Sequence, residues 1–283
     1  MTVKANDFNS YWSTLDTEVS DLNNDEVKAT ELPIRSNENS TAYELRFHGV
    51  GQYPLFAYLT VPKGEGPFPG LLQIPSYGSV VSVPAFERRA KYVTVAFSHR
   101  GQRRSDQDFA AEYPGLLTNG LPDSSQYIWR YIVADCLRAL DILKASTFVD
   151  VSKLAVVGND LAAISAALRP EIKYLLLNGF IFRGASDAIR GLTEYPDQEF
   201  TDYIRLFPDR IEQVMDTISL FDPIGFASSI KTETLLTCSE NKLTLVEKLA
   251  NAIKSETEIR TNTGHGFLDH EYEESWLSKK LIS

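Results

Sequence analysis

The residues with the clearest chemical meaning lie at Gly158-Asn159-Asp160-Leu161-Ala162. The run before them, Lys153-Leu-Ala-Val-Val157, has the apolar density of a short buried strand. The run after them, Leu161-Ala-Ala-Ile-Ser-Ala-Ala-Leu168, reads as a helix of small and apolar residues. A strand, a turn opened by glycine and a closely packed helix form the context that presents a nucleophile at a sharp bend, normally as Gly-x-Ser-x-Gly. Here the centre is Asp160 and the second glycine is Ala162. Aspartate at that bend excludes the ordinary serine cycle. An unperturbed carboxyl, with a pKa of about 3.9, is ionised at neutral pH without help from a base. It can attack a saturated carbon, and a histidine-activated water then cleaves the alkyl ester so formed. His265, between Gly264 and Gly266 after the last strand-like run, is the residue suited to activate that water. The competing reading is that Asp160 marks a nucleophile position that no longer reacts.

The elements that must position these groups alternate along the chain. Tyr43-Glu-Leu-Arg-Phe47 and Leu55-Phe-Ala-Tyr-Leu-Thr-Val61 have the period of antiparallel strands, and Pro62 to Pro67 is a turn. Gly70–Ile74, Tyr92–Phe97, Tyr174–Leu177, Thr234–Cys238 and Thr257–Ile259 read as further strands. Tyr127–Lys144 and a run ending at Ile253 read as helices, and a final helix covers Tyr272–Leu281. This order predicts an α/β fold with a mostly parallel central sheet and helices on both faces. Residues 1–39 read as a polar, partly helical extension, with Phe8, Tyr11, Trp12 and Leu15 on one docking stripe. Residues 180–228 are mostly helical and interrupt the alternation in the manner of a lid. The stretch from Arg100 to Ser125, rich in Gly, Pro and Asp, is too long for an idle loop and is expected to border a site. The whole, 1–283, is expected to form a single domain.

Composition sets limits on the partners. A net charge of −10 argues against nucleic acid and anionic membrane, and no apolar run approaches the ~18 residues of a membrane span. The start of the chain lacks a secretory apolar core. Cys136 and Cys238 fall in apolar patterns and read as buried free thiols, so a cytoplasmic protein is expected. The four histidines (His48, His99, His265, His270) are scattered, and no Cys/His cluster has zinc-like spacing. Nucleotide and flavin signatures are absent as well. No cofactor and no metal are expected; the partner is a small-molecule substrate.

Several segments together resemble the acetyl xylan esterase / cephalosporin C deacetylase family, carbohydrate esterase family seven, of the α/β-hydrolase superfamily. They are Asp7-Phe-Asn-Ser-Tyr-Trp12, Val61-Pro-Lys-Gly-Glu-Gly66, Tyr77-Gly78, Arg100-Gly101-Gln102, Gly120-Leu-Pro-Asp123, Arg130–Leu143, Phe148-Val-Asp150, Glu199–Arg205, Ser219-Leu-Phe-Asp222, Ile230-Lys231 and Gly264-His265. The resemblance spans nearly the whole chain in the right order. It implies an α/β-hydrolase fold, removal of acetyl groups from small sugars or related alcohols, and a homo-oligomer. It also implies that the backbone N–H groups of Tyr77 and Leu161 form an oxyanion hole. The departures cluster at the chemistry. The family's Gly-x-Ser-Gln-Gly is Gly158-Asn-Asp-Leu-Ala162 here, and its His-Gly-Tyr-Gly is Pro75-Ser-Tyr-Gly78. Where the family's Gly-Leu-x-Asp supplies a triad acid, this chain has Ser239-Glu-Asn-Lys242, with Lys242 on the acid.

Three readings follow. In the first, Asp160 is the nucleophile, His265 activates water, and Glu240, two residues before the expected acid, orients the histidine; Asp187 is a second acid candidate, and Lys242 near His265 would lower its pKa. The analogy is to haloalkane dehalogenases and epoxide hydrolases, although Leu161 stands where the former carry a halide-binding tryptophan. In the second, the chain is catalytically silent and binds a small ligand or serves a structural role. In the third, it is a weak acetyl-ester hydrolase. Arg100-Gly101-Gln102 reads as a structural turn held by an arginine fork. Tyr127, Tyr195 and Tyr203 offer phenolic donors but suit packing better. Ser76 and Ser165 lack the exposure of an elbow nucleophile.

Overall fold

In a computed structural model, residues 5–22 and 26–282 are described. Their strands form one nine-stranded sheet in the order β1-β2-β3-β5-β4-β6-β7-β8-β9. The strands are β1 (Lys28–Glu31), β2 (Ser40–Gly49), β3 (Tyr53–Pro62), β4 (Phe68–Gln73), β5 (Val93–Ser98), β6 (Val149–Gly158), β7 (Tyr174–Leu177), β8 (Glu233–Cys238) and β9 (Thr257–Thr261). β1, β2 and β3 pair antiparallel, β3 meets β5 antiparallel, and every pairing from β5 to β9 is parallel. The α/β class and the mostly parallel sheet expected from the sequence are therefore observed.

Burial follows the two-residue period of the strands. Leu72, Leu154, Val156, Leu175, Leu177 and Leu236 join one core. Their neighbours Leu71, Ala155, Val157, Leu176 and Leu235 join the other. The first core is closed by α1 (Ala5–Ser20), α3 (Ile128–Ala145), α4 (Asp160–Leu168) and α8 (Leu243–Ala252), which supply Leu15, Leu140, Ile164 and Leu249 among others. The second is closed by α9 (Gly266–Ile282) through Trp276, Leu277 and Leu281. The short helix α2 (Phe86–Arg89) lies alongside α9, where Arg88 Nε donates to Glu274 Oε1 at 2.6 Å. Burial on both faces is why these strands lack polar alternation in the sequence.

The amino-terminal segment is a docked helix, as its stripe predicted. Trp12, Leu15 and Val19 are buried, and the Trp12 ring stands edge-on to Phe221 at 5.3 Å and Phe226 at 5.2 Å. The segment also supplies β1, an edge strand that hydrophobic pattern does not reveal, because all four of its residues are exposed. Residues 180–228 are helical, with α5 (Ala185–Ala188), α6 (Gln198–Leu206), α7 (Ile211–Ser219) and 3-10 turns at Pro208–Arg210 and Pro223–Ser229. Helix α9 begins six residues before the Tyr272 expected from sequence, directly after His265.

The Arg100-Gly101-Gln102 turn is structural, as read from its residue types. Arg100 grips Asp135 of α3 with Nε to Oδ2 at 2.9 Å and Nη2 to Oδ1 at 2.7 Å. Its guanidinium also lies 4.7 Å from the Tyr53 ring centre and 5.0 Å from that of Tyr131. Such a buried, bidentate pair fixes the turn's orientation. Both cysteines are free and buried. Among the described residues no helix is long and apolar enough to cross a membrane.

Because Trp12 is the largest fully buried side chain of α1, Trp12→Ala is expected to cost about 3–5 kcal/mol. Chemical denaturation with tryptophan-independent detection (far-UV circular dichroism) measures it; a loss within about 0.5 kcal/mol, the size of an ordinary surface change, would mean that α1 is not part of the cooperative unit.

Candidate active site

The C-terminal ends of the parallel strands are where an α/β sheet places its ligands, and the elbow sits there. β6 ends at Gly158, whose φ of 155° suits glycine, and a Cβ on it would lie 2.8 Å from Cβ of Ile74 in the neighbouring loop. Asn159 then caps α4, with its Oδ1 accepting the N–H of Leu161 at 3.0 Å. Asn159 is extended, with φ −89° and ψ −160°. Among described non-glycine residues only Gln52 and Arg104 have positive φ. The bend is thus a relaxed, capped helix start rather than a strained turn that pushes its residue into a pocket.

Asp160 opens α4 and is 1% exposed. Its Oδ2 accepts two backbone N–H groups, from Ile181 at 2.5 Å and Phe182 at 2.6 Å. Its Oδ1 is buried without a partner. Burial pushes the carboxyl pKa up to about 7; the two N–H donors oppose that rise, and the charges of Asp222 and Asp197 add to it. The expectation of a fully ionised carboxylate needing no base is corrected by this desolvation. Around neutral pH the group is divided between its acid and its anion.

The loop that clamps Asp160 is itself held from outside. Phe180 O accepts the Lys242 ammonium at 3.1 Å, and Lys242 also reaches Asp197 Oδ2 at 3.4 Å. Burial raises the Asp197 pKa, against the pull of Lys242. Just beyond, Asp222 Oδ2 accepts from Arg183 Nη1 and from Gly184 N, both at 2.9 Å. Lys242, which the resemblance set on the triad acid, therefore secures the Phe180–Phe182 turn; no bond or ion pair joins it to His265.

His265 lies in the exposed turn between β9 and α9. Its N–H donates to Thr263 Oγ1 at 3.1 Å and its carbonyl accepts Asp269 N at 3.1 Å. Its ring has no hydrogen-bond partner among the described residues. Glu240 is exposed in the 3-10 turn Glu240–Lys242, and Asp187 is exposed on α5. No hydrogen bond or ion pair links Asp160, His265, Glu240 or Asp187 to one another, so the expected relay is not assembled. The oxyanion expectation for Leu161 is also corrected, because Asn159 occupies its N–H. No bond occupies the N–H of Tyr77 among the described residues.

Tyr77 matters through its side chain. Its hydroxyl donates to Glu199 Oε1 at 2.6 Å and accepts Leu117 N at 3.1 Å. Glu199, buried on α6, also accepts Gly115 N at 2.8 Å and Leu117 N at 3.2 Å on Oε2. Burial and the Glu199 charge hold the Tyr77 phenol far above its ordinary pKa. The Tyr77 ring stacks on Trp129 at 6.1 Å and meets Tyr113 and Tyr195 edge-on at 5.1 and 5.7 Å. Sequence reasoning placed Glu199 in a matching segment but gave it no role; its only signal was a carboxylate on an otherwise apolar helix face. The 100–125 stretch does border this cluster. Tyr127 and Tyr203 donate to Leu117 O at 2.7 Å and Leu121 O at 2.9 Å, which makes them packing residues. Ser165 is buried and bonded to Leu161 O at 2.7 Å, and Ser76 is exposed, its carbonyl accepting Gln102 Nε2 at 3.4 Å.

A family model described as acetyl xylan esterase (AXE1) matches residues 1–263. Acetyl esterase Axe7A of Xylanibacter ruminicola is 23% identical over 266 residues, covering 85% of this chain and 57% of that protein, so the chain spans little more than half the length of this curated relative. An acetyl xylan esterase from Paenibacillus sp. R4 superposes with a TM-score of 0.85 at 23% identity, covering 99% of this chain and 96% of that one. Acetyl xylan esterase 1 from Thermoanaerobacterium sp. JW/SL YS485 gives 0.80 at 23% identity, over 95% and 93% of the two chains. These superpositions establish a common α/β-hydrolase fold.

Asp160 makes the site sensitive to pH in a definite direction. Its folded pKa, about 7, lies above the unfolded value, so the native state holds the proton more tightly. Its contribution is fully present below about pH 4 and is lost as pH rises through 7. Asp160→Asn keeps an oxygen for Ile181 and Phe182 but cannot ionise. It is expected to be more stable than the parent at pH 8, by on the order of a few kcal/mol, with the difference shrinking to roughly 1–2 kcal/mol at pH 5. Thermal melts at the two pH values check the crossover; an identical pH dependence in both proteins would refute it.

Proposed function

The chain belongs to the acetyl xylan esterase family, and from that premise we propose that it binds a small acetylated carbohydrate without running a nucleophile–histidine–acid cleavage cycle. The observation that carries this reading is the state of Asp160: it is 1% exposed, with one oxygen held by two backbone donors, while the His265 ring stands exposed and unpartnered. A nucleophile must reach substrate, and its base must share a water or proton with it. Neither condition is met by these contacts. The ligand class rests on family membership and on the Tyr77, Tyr113 and Tyr195 rings, amphipathic surfaces that suit the C–H face of a sugar.

One observation favours the second reading, a carboxylate hydrolase. Asp160 Oδ1 has no partner, so one oxygen is uncommitted. In that mechanism Oδ1 attacks a saturated carbon, the leaving group departs, and water activated by His265 attacks the Asp160 carbonyl carbon to regenerate the acid.

Acetylated xylo-oligosaccharides, p-nitrophenyl acetate, epoxides and alkyl halides separate the two. Binding is expected by calorimetry for the acetylated sugar, weakened roughly tenfold in Tyr195→Ala for the loss of one ring contact of about 1.4 kcal/mol, with no turnover sensitive to Asp160→Asn. A rate abolished by both Asp160→Asn and His265→Ala, with one heavy oxygen in the Asp160 peptide after a single turnover in labelled water, would replace this proposal with the carboxylate mechanism.

A further inference from the structure

Between α1 and the start of α3 lies a groove of about 650 Å³ that shares no lining residue with the cluster around Tyr77 and Glu199. Its volume is that of a small-molecule site, roughly 300–1,000 Å³. Hydrogen bonds fix its walls. Tyr11 Oη donates to Ser124 O at 2.8 Å, which ties α1 to the segment before α3. Arg130 Nη2 donates to Glu18 Oε1 at 2.8 Å and Nη1 to Oε2 at 3.0 Å, a bidentate pair that ties α1 to α3 itself. Ser125 N and Oγ donate to Asp123 Oδ1 at 2.8 and 2.7 Å and hold the lip.

The lining has a definite chemical character. Glu18 and Arg130 are the only charged residues among those that line the groove. The guanidinium holds the Glu18 carboxyl below its usual pKa, so both groups are ionised at neutral pH and the pair is neutral as a unit. Arg130 is 7% exposed, and its guanidinium lies 5.6 Å from the Tyr11 ring centre and 5.4 Å from that of Tyr131. Bonding capacity is left over. Each Glu18 oxygen accepts a single bond. Arg130 Nε, the Gln126 side-chain amide and the Ser10 hydroxyl make none among the described residues. An ionised carboxylate only accepts, a guanidinium only donates, and amides and hydroxyls do both.

We propose that this groove binds a neutral, hydroxyl-rich ligand, a sugar or short oligosaccharide, at a site separate from the elbow and from the aromatic cluster. The lining selects that class by elimination. An anion offers acceptors alone and brings a second negative charge to Glu18. A cation meets Arg130 in the same way. An apolar ligand covers Arg130 Nε and the Gln126 amide without replacing the water they lose. A polyol gives and takes at every hydroxyl, so it can donate to Glu18, accept from Arg130 Nε and do both at Gln126 and Ser10. The ion pair fixes the geometry of two of these groups before the ligand arrives, which lowers the ordering cost of binding. None of these bonds involves the Tyr77 or Tyr195 rings.

Calorimetric titration of the full-length Tyr195→Ala chain isolates the groove from the aromatic cluster, with xylotetraose as the neutral probe and trigalacturonate as the anionic one. Saturable binding of xylotetraose is expected within about 10 mM ligand, with trigalacturonate weaker by roughly tenfold or more. Gln126 and Ser10 are exposed, so Gln126→Trp and Ser10→Trp can fill the groove from its α3 and α1 sides without disturbing the core. Each should weaken xylotetraose roughly tenfold and leave the melting profile unchanged. Glu18→Gln leaves Arg130 uncompensated and should turn the preference toward trigalacturonate, an outcome that lost packing alone does not produce. Absence of saturable xylotetraose binding, or binding that survives both tryptophan variants, overturns the proposal. A folded Glu18→Gln chain that keeps the original preference overturns it equally.

Discussion

A single buried carboxylate, Asp160, fastens the end of one strand to the turn that leaves the next. Its Oδ2 draws Ile181 N–H and Phe182 N–H onto the start of α4, so the β6–α4 junction and the exit of β7 cannot move independently. Desolvation of the anion raises the carboxyl's pKa, and the same two N–H donors oppose that rise. Those opposing terms leave the carboxyl near its midpoint at neutral pH. Around that clamp, Lys242 bonds Phe180 O and is itself paired with Asp197, while Asp222 bonds Arg183 and Gly184 N at the end of the turn.

The clamp changes what family membership implies. Two solved acetyl xylan esterases share this chain's fold over 99% and 95% of its length. In this chain the connections between the sheet's C-terminal ends run through Asp160 and Lys242. At the elbow, one oxygen of Asp160 is bonded to two backbone donors of the protein itself. A lysine at the acid position, bonded to a carbonyl of the same turn, does likewise. The two changes reinforce each other, because each stabilises the Phe180–Phe182 segment.

Much of the fold was legible in the sequence, for one physical reason. Strands buried on both faces carry dense apolar runs, so Leu154–Val157, Leu175–Leu177 and Leu235–Leu236 announced themselves, and the order of runs fixed the class. Strand β1 did not, since Lys28-Ala-Thr-Glu31 is exposed along its whole length and its hydrogen bonds leave no trace in hydrophobicity. The early start of α9 was hidden by glycines flanking His265, which read as loop but here introduce a helix. At the site, sequence gave the position of Asp160 but not the direction of its carboxylate. That direction depends on where the chain after β7 puts two amide groups, a tertiary fact. Glu199 was invisible for the same reason: its partners Gly115, Leu117 and Tyr77 lie 82 to 122 residues away in sequence.

The Glu199 junction has one more implication. Three donors from two separate segments converge on a single helix-borne acid in a water-poor setting, so lifting α6 would strand the acid and all three donors at once. The helical insertion is therefore bolted at its centre. At the margin of this insertion Tyr195 is 56% exposed, its ring edge-on to Tyr77.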